Sequence, residues 1–187
     1  MTPGRGSAAL FAALVAACLA PGPAPAEVAE PDGYRTADYR AEVPATLAGA
    51  RVLDPAAAHE RWLSGAAAFV DVLPNPPRPA NLPAGTVWRD KPRHSIPGAI
   101  WLANAGYGAL APAMEDYFRA GLARVSGGNP DHPLVFFCLA ECWMSWNAAR
   151  RAVGYGYSQV NWFPAGTDGW AEGGWPTELL TPEPGGQ

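Results

Sequence analysis

Short apolar segments alternate with segments of helical spacing along most of the chain, and this alternation most constrains the fold. Leu134–Phe137 is a continuous apolar run, and Ala67–Val72 is apolar except for Asp71 near its end, as is typical of strands buried on both faces of a parallel sheet. Helical spacing covers Ala56–Leu63 and Pro112–Val125. Because parallel strands need crossover connections, the pattern predicts an α/β domain with a central parallel sheet flanked by helices.

Composition limits both the size of this domain and its partners. The 187 residues fit one domain, and an apolar content of 49% can supply a core. The 21 glycines and 21 prolines indicate a fold rich in loops. Charged residues make up 16% and the net charge is −4, which disfavours a nucleic-acid binder with a broad basic face. We therefore expect a single globular domain without nucleic acid as a partner.

The N-terminus has the pattern of an export signal. The apolar run Ala8–Ala20 is too short to span a bilayer and has the length of a signal-peptide core. Ala24-Pro25-Ala26 has the small residues of a cleavage site, so residues 1–26 are predicted to be a signal peptide. The mature protein is then periplasmic, with no membrane span. As a lesser alternative, Val15–Cys18 resembles a lipobox and would anchor a lipoprotein at Cys18.

The remaining chain divides by composition. Residues 27–48 are polar and weakly periodic and are predicted to be an N-terminal leader. Residues 49–178 form the domain, and residues 179–187 are predicted to be a flexible C-terminal tail. Within the domain, residues 74–97 hold seven prolines and are predicted to be a long irregular loop, either a surface insertion or a lid.

Cys138 lies where the most apolar strand ends and a helix is predicted to begin. In open α/β sheets, sites form beyond the carboxyl ends of strands. A helix N-terminus presents free N–H groups that favour a thiolate and make the sulfur nucleophilic. Cys142 follows four residues later, and Cα atoms at that helical spacing lie roughly 6 Å apart, within disulfide range. We interpret the two as a reactive pair, in preference to a structural disulfide or two merely buried thiols.

Several segments together resemble a rhodanese-like domain over roughly residues 50–176. The resemblance implies a rhodanese-like single domain in which Cys138 is the nucleophile, accepting sulfur as a persulfide or attacking a disulfide. From the pairing of the two cysteines, we expect Cys142 then to resolve the product. The segments that carry it, in the order of the family, are Phe69–Val72, His94–Ala99, Val135–Cys138, Ala148–Gly156 and Val160–Trp170.

The segment Cys138–Asn147 carries a narrower resemblance. With Gly166–Trp170 and Gly33–Tyr39, it is similar to exported rhodanese-like proteins associated with PQQ-dependent catabolism. The label of that family has two residues between the cysteines, where this chain has three. The resemblance implies a link to PQQ-dependent alcohol oxidation, with a PQQ-dependent dehydrogenase or a c-type cytochrome as partner. The substrate is expected to be a small sulfur compound or a thiol; no cofactor is required, and PQQ is a candidate ligand.

The chain departs from sulfurtransferases where those proteins hold an anion. Trp143 stands where an arginine is common, Glu141 occupies a loop that usually has glycine, and the Asp-Val-Arg strand end has lost its arginine. Thiosulfate turnover of the ordinary kind is therefore not expected. Three of the cations in the 74–97 loop could supply the missing charge: Arg89, Lys91 and Arg93. The residues predicted to bind substrate or shape the loop are Glu141, Trp143, Asp168, Asp71 and Arg93.

Two other functions compete with thiol catalysis. Five of the eight tryptophans lie between Trp143 and Trp175 and could stack on a planar quinone in a non-catalytic binding module, although core packing is the better explanation for Trp146 and Trp162. Two thiolates also suit copper, but Trp146 stands where a completing histidine would be wanted. The histidines, which are His59, His94 and His132, are scattered, and no metal site is predicted.

Overall fold

A computed structural model describes residues 1–2, 27–89 and 91–186. The predicted signal-peptide core, its cleavage site and Cys18 lie outside the described residues. No helix within the described ranges is long and apolar enough to cross a membrane. The elements are β1 (Arg51–Val52), α1 (Pro55–Leu63), β2 (Ala68–Asp71), β3 (Arg93–Ser95), β4 (Ile100–Trp101), α2 (Pro112–Ser126), β5 (Leu134–Phe137), α3 (Trp143–Gly154), β6 (Val160–Trp162), α4 (Gly166–Glu172) and β7 (Glu178–Leu180).

The central sheet of the described chain is parallel and has the strand order β1-β6-β5-β2-β4. β5 lies in the middle, where Phe136 is in register with Val70 of β2 and Trp162 of β6. The whole of β5 is buried, as its continuous apolar sequence predicts for a strand covered on both faces. The predicted α/β class, with a central parallel sheet flanked by helices, is confirmed.

The side chains of β5 alternate between two apolar clusters, one on each face of the sheet. Phe136 packs in the cluster that contains Phe118 of α2 and Trp146 of α3. Phe137 packs in the cluster that contains Ala58 of α1 and Trp170 of α4. Full burial of each phenylalanine contributes about 1.5–3 kcal/mol, so this strand anchors both layers of helices. The carboxyl end of β5 is thereby held in a fixed place in the molecule.

The predicted leader, residues 27–48, packs along α3. The Asn147 side chain accepts a hydrogen bond from the backbone N of Arg35 at 2.9 Å and donates one to the Arg35 carbonyl at 2.9 Å. Further along, the indole N–H of Trp143 donates to the Glu42 carbonyl at 3.1 Å. These contacts fix the leader against the helix that follows the cysteine loop, so the leader contributes to the surroundings of the cysteines.

The C-terminal segment differs from the flexible tail predicted over residues 179–187. β7 pairs antiparallel with β3, a strand that lies inside the predicted 74–97 loop. Beyond it, the backbone N of Glu183 donates to the Trp101 carbonyl at 2.9 Å, and its carboxylate pairs with Arg124 at 2.8 Å. The two paired segments are each three residues long, too short to give a strand pattern in the sequence.

Candidate active site

The two cysteines bracket the loop between β5 and α3. Cys138 directly follows β5, and Cys142 is the N-cap residue of α3. Both thiols are unbridged and buried. The loop turns at Glu141, whose backbone adopts a left-handed φ of 47°. The turn brings the Cys142 carbonyl to 3.5 Å from the Sγ of Cys138, so the structure places the two predicted cysteines together.

A cavity of about 550 Å³ lies beside Cys142, and Cys142 is part of its wall. Cavities of this volume are typical of sites for small organic molecules. Cys138 does not line it and is fully buried. Apolar and aromatic side chains make up much of the wall, among them Leu73, Trp101, Tyr107, Leu139 and Met144.

The two thiols differ in acidity because their surroundings differ. Burial raises the pKa of Cys138 well above its ordinary value. Its hydrogen bond to the side-chain sulfur of Cys142 raises that pKa further. The same hydrogen bond lowers the pKa of Cys142 to about 7, against an opposing effect of burial, with help from the backbone N–H of Met144 and the charge of Arg40. The thiolate therefore forms first on Cys142.

The carbonyl oxygen of Cys138 is held by hydrogen bonds from two residues outside the cysteine loop. It accepts hydrogen bonds from the backbone N of Thr167 at 3.0 Å and from its Oγ1 at 3.2 Å. The Arg93 guanidinium adds a third at 3.2 Å. Three donors on one carbonyl, two of them from Thr167 in the first turn of α4, hold the backbone of Cys138 in one orientation.

Arg93 is committed to a buried ion pair. Its Nε donates to Asp71 Oδ2 at 2.6 Å, and the two side chains are 7% and 0% exposed. Asp71 also accepts from Ser95 Oγ at 2.6 Å and from the backbone N of Leu73 at 3.0 Å. Burial raises the pKa of Asp71, while the Arg93 charge opposes that rise. Arg93 touches the cavity wall, but its charge is balanced by Asp71, so the pair chiefly shapes the loop.

Asp168 and Gly166, at the start of α4, lie against the backbone of the cysteine loop. Asp168 Oδ2 accepts a hydrogen bond from the backbone N of Ala140 at 2.9 Å. Gly166 has a left-handed φ of 54°, and a Cβ there would stand 2.6 Å from the Cys138 carbonyl oxygen. Glycine is therefore needed for the close approach of α4 to the cysteine loop as well as for the backbone conformation.

Gly166→Ala is expected to destabilise the protein by more than about 2 kcal/mol, because left-handed strain of about 1–2 kcal/mol is added to a clash with the cysteine loop. Urea unfolding measures the effect. Gly127→Ala is the matched control, since Gly127 has a similar φ of 63° and no described residue that is distant in sequence has an atom within 4 Å of the place that a Cβ would take. Equal losses of stability in both variants would contradict the role given to the close approach.

Trp143 and Glu141 lie outside the cavity wall. Trp143 is 2% exposed, and its ring packs against Trp146 with centroids 5.4 Å apart. The guanidinium of Arg35 lies 5.2 Å from the Trp143 ring centroid. Glu141 is exposed at the turn of the loop. Among the predicted site residues, Cys142 and Arg93 line the cavity, and Cys138, Asp71, Asp168, Trp143 and Glu141 surround or support the loop.

Besides Arg93, two cationic side chains line the cavity, and they come from different segments of the chain. Arg40 belongs to the leader, whose backbone forms an antiparallel bridge with Cys142. Lys91 belongs to the 74–97 loop, which forms one side of the cavity. Sequence reasoning identified Lys91 as a candidate cation and missed Arg40, because no local pattern indicates where a weakly periodic leader will pack.

The structure also bears on the two other candidate functions, a tryptophan platform for a quinone and a metal site. Four of the five tryptophans between positions 143 and 175 are at most 2% exposed, so their faces are covered by protein and offer no platform for a quinone. The fifth, Trp175, stacks on His59 with ring centroids 4.2 Å apart. Within the described ranges, no three His, Cys, Asp or Glu side chains are grouped so that they could hold a metal ion.

The fold and the site define a class: a parallel α/β domain with two free thiols at the carboxyl end of its central strand. Strand β5, the cysteine loop, α3 and β6 follow one another in the order of the segments that resemble rhodanese-like domains, and the segment after β6 is the short helix α4. No protein-family model and no curated protein matches the chain.

Two solved structures are similar to the chain. One is the solution structure of a 30 kDa polysulfide-sulfur transferase homodimer from Wolinella succinogenes, with 19% identity over 70% of this chain and 80% of that one, and a TM-score of 0.43. The other is an uncharacterized protein from Saccharomyces cerevisiae, with 18% identity over 67% of this chain and 93% of that one, and a TM-score of 0.40. At these values neither likeness assigns an activity to this chain.

Proposed function

We propose that this protein carries out sulfur transfer or thiol–disulfide exchange at the Cys138–Cys142 pair, with Cys142 as the thiol that meets the substrate. One observation carries the proposal: Cys142 lines a cavity of about 550 Å³, whereas Cys138 is fully buried beside it. The lowered pKa of Cys142 supports the same order, because the thiolate is the attacking form of a cysteine. A small sulfur compound or a thiol is the substrate class.

Both reactions use the same two steps. The Cys142 thiolate attacks the outer sulfur of a persulfide R–S–SH, so the S–S bond breaks, Cys142 becomes a persulfide and the thiol R–SH leaves after gaining a proton. Cys138 then loses its proton and attacks Cys142 Sγ, which releases hydrosulfide and leaves a Cys138–Cys142 disulfide. The cysteines are oxidised and the transferred sulfur is reduced; an external thiol reductant must restore the pair. With a disulfide substrate, two thiols leave instead.

This order reverses the sequence-based expectation that Cys138 attacks first and Cys142 resolves. A strand-end position made Cys138 the candidate nucleophile, but the same position places its side chain under the loop. At the N-cap position of α3, Cys142 lies beside the backbone N–H of Met144, which helps to lower the pKa of its thiol. Access and acidity thus both favour Cys142 in the proposed first step.

Intact-mass analysis of the reduced full chain after treatment with glutathione persulfide tests the proposal, in a Cys18→Ser background so that only the pair reacts. We expect Cys138→Ser to accumulate one added sulfur on Cys142, because the second step is blocked. The unsubstituted pair should instead lose two hydrogens. Cys142→Ser should gain no sulfur in the same time. A persulfide that forms on Cys138 of the Cys142→Ser variant at the rate of the intact pair would overturn the order.

We also propose that the protein is exported to the periplasm after cleavage at Ala26, and that it acts alongside a PQQ-dependent dehydrogenase or a c-type cytochrome in alcohol oxidation. The support is the signal-like pattern of residues 1–26 and the motif resemblance. Mass analysis of the mature protein from periplasmic extract should find Glu27 as the first residue. A diacylated Cys18 would point to the lipoprotein instead, and an intact N-terminus would contradict export.

A non-catalytic module that binds a quinone is the second candidate function. Its specific support is the cavity, whose wall includes Trp88 and Trp101 besides Tyr39 and Tyr107. These rings could hold a planar ligand such as PQQ by stacking and by apolar contact. Calorimetric titration with PQQ tests this: saturable heat in the Cys142→Ser variant would favour the binding module, and the absence of heat would remove it.

A further inference from the structure

Apolar and aromatic side chains form much of the wall of the cavity beside Cys142. Leu73, Leu139 and Met144 line it together with the rings of Trp101 and Tyr107. Apolar walls return no hydrogen bonds to an anion that has lost its water, so entry of thiosulfate or sulfide is costly. An organic group of matching size gains from the same walls, because its apolar surface leaves water.

Polar groups occupy separate positions in that wall. Arg40 and Lys91 line the cavity and are also exposed, which places their charges at its edge. Both types of side chain bind carboxylates. Because the protein as a whole has a net charge of −4, positive charge at this opening is a local feature. The edge of the cavity therefore suits an anionic substituent, while its interior suits an apolar one.

Asn75 adds a hydrogen-bonding group. It lines the cavity, is 4% exposed, and has a side-chain Nδ2 with no hydrogen-bond partner among the described residues. Its backbone is held in place, since its N donates to Asn104 Oδ1 at 3.1 Å and its carbonyl accepts from Asn104 Nδ2 at 3.2 Å. A buried donor without a partner costs free energy, so an acceptor on a ligand that reached it would be favoured.

We infer that the substrate of Cys142 is an organic disulfide or persulfide with an apolar, aromatic-sized body and a carboxylate, rather than thiosulfate or sulfide. This inference rests on the proposed function. The body fills the cavity against the apolar walls, the carboxylate lies at the edge near Lys91 and Arg40, and the sulfur reaches Cys142.

The probe for this substrate class is 5,5′-dithiobis(2-nitrobenzoate), a disulfide of two carboxylated aromatic rings. The Cys142 thiolate attacks one sulfur of the probe and releases one coloured thiolate; Cys138, after losing its proton, attacks Cys142 Sγ and releases the second. Two aryl thiolates leave and one protein disulfide forms. Bis(2-hydroxyethyl) disulfide, which has neither ring nor charge, is the comparison probe.

The experiment measures the rate of each disulfide with the reduced full chain, in the Cys18→Ser background, and divides it by the rate with free glutathione. This ratio removes the intrinsic difference in leaving groups. For the aromatic probe, we expect saturation with concentration and a ratio at least about tenfold above that of the comparison probe, from local binding and charge. Equal ratios for the two probes would overturn the inference.

Variants of the wall test where the selectivity arises. Pro76→Trp narrows the cavity at an exposed wall position, and Pro77→Trp is its control at the next exposed position, outside the wall. Lys91→Gln removes a wall charge, with Arg89→Gln of the same loop as control. We expect Lys91→Gln to lower the aromatic-probe rate about threefold and Pro76→Trp to lower it further, with the controls unchanged.

The outcomes separate the inference from the proposed function. If Cys142 reacts but shows no preference for the aromatic probe, or if wall variants behave as their controls, the substrate class is wrong and the thiol chemistry stands. If Cys142→Ser still reacts at the rate of the intact pair, the order of attack in the proposed function is wrong, and the inference that rests on it is wrong with it.

Discussion

Cys142→Ser is expected to lower the rate of alkylation by iodoacetamide at pH 7 by roughly 50-fold or more in the reduced chain with Cys18→Ser. At this pH about half of Cys142 is thiolate, since its pKa is lowered to about 7. Burial raises the pKa of Cys138 well above its ordinary value, so this thiol stays almost entirely protonated at pH 7. Cys138 is also fully buried, which slows its reaction further.

The pH dependence of the alkylation rate tests the same prediction in a second way. Alkylation of the intact pair should rise with pH through a midpoint of about 7 and level off above it, because the reactive thiolate forms as Cys142 loses its proton. Cys138→Ala removes the hydrogen bond that stabilises this thiolate. Such a bond to a charged group contributes about 1.5–3 kcal/mol, so the midpoint should move upward by about one unit or more.

The variants also serve as each other's controls. A loss of fast alkylation in Cys138→Ala at every pH, with Cys142→Ser unaffected, would restore the order of attack expected from the sequence. A midpoint near 8.5, the ordinary value for a free cysteine, would show that the loop leaves Cys142 unperturbed. Peptide mapping of the alkylated chain identifies the modified cysteine directly in each case.

Arg93→Met is expected to destabilise the protein by about 3–5 kcal/mol, because it leaves the Asp71 carboxylate buried without its cationic partner. A typical domain has only about 5–15 kcal/mol of stability, so this is one of the largest effects available to a single substitution. Asp71 is 0% exposed and lies 2.6 Å from Arg93 Nε. Urea unfolding followed by tryptophan fluorescence measures the loss.

The double variant separates the ion pair from the packing around it. Asp71→Asn with Arg93→Met removes both charges, and we expect it to recover at least 1 kcal/mol relative to Arg93→Met, a coupling of the size of about 0.5–3 kcal/mol found between residues in contact. Asp38→Asn breaks an exposed pair with Arg35, whose atoms are 3.7 Å apart, and should change stability by less than about 0.5 kcal/mol. Additive losses in the double variant would contradict a coupled pair.

Local patterns predicted the elements well. The strand over Leu134–Phe137 has the bounds given by its apolar run, and α2 extends one residue beyond the predicted Pro112–Val125. Helical spacing and apolar runs depend on residues close in sequence, so they can be identified without knowing the rest of the chain. The C-terminal strand β7 depends instead on β3, a distant and equally short partner.

Arg93 shows that local sequence patterns also fail to identify contacts between distant residues at the site. As a loop cation it was a candidate to hold an anionic substrate, and only the packing of the loop against β2 brings it onto Asp71. A surface charge and a buried ion pair have the same appearance in sequence. Arg40, which lines the cavity from the leader, carries no local sign of its position.

The sequence by itself determined that this chain is a parallel α/β domain with two cysteines at the end of its most apolar strand, because strand and helix signals arise between near neighbours. Only the tertiary structure decided which thiol lies in a cavity wall and which is sealed beneath the loop. That difference depends on the leader, the 74–97 loop and the start of α4, which meet around the cysteines from distant parts of the chain. The physical reason is burial: it sets both the access and the acidity of each thiol, and it is a property of the packed molecule.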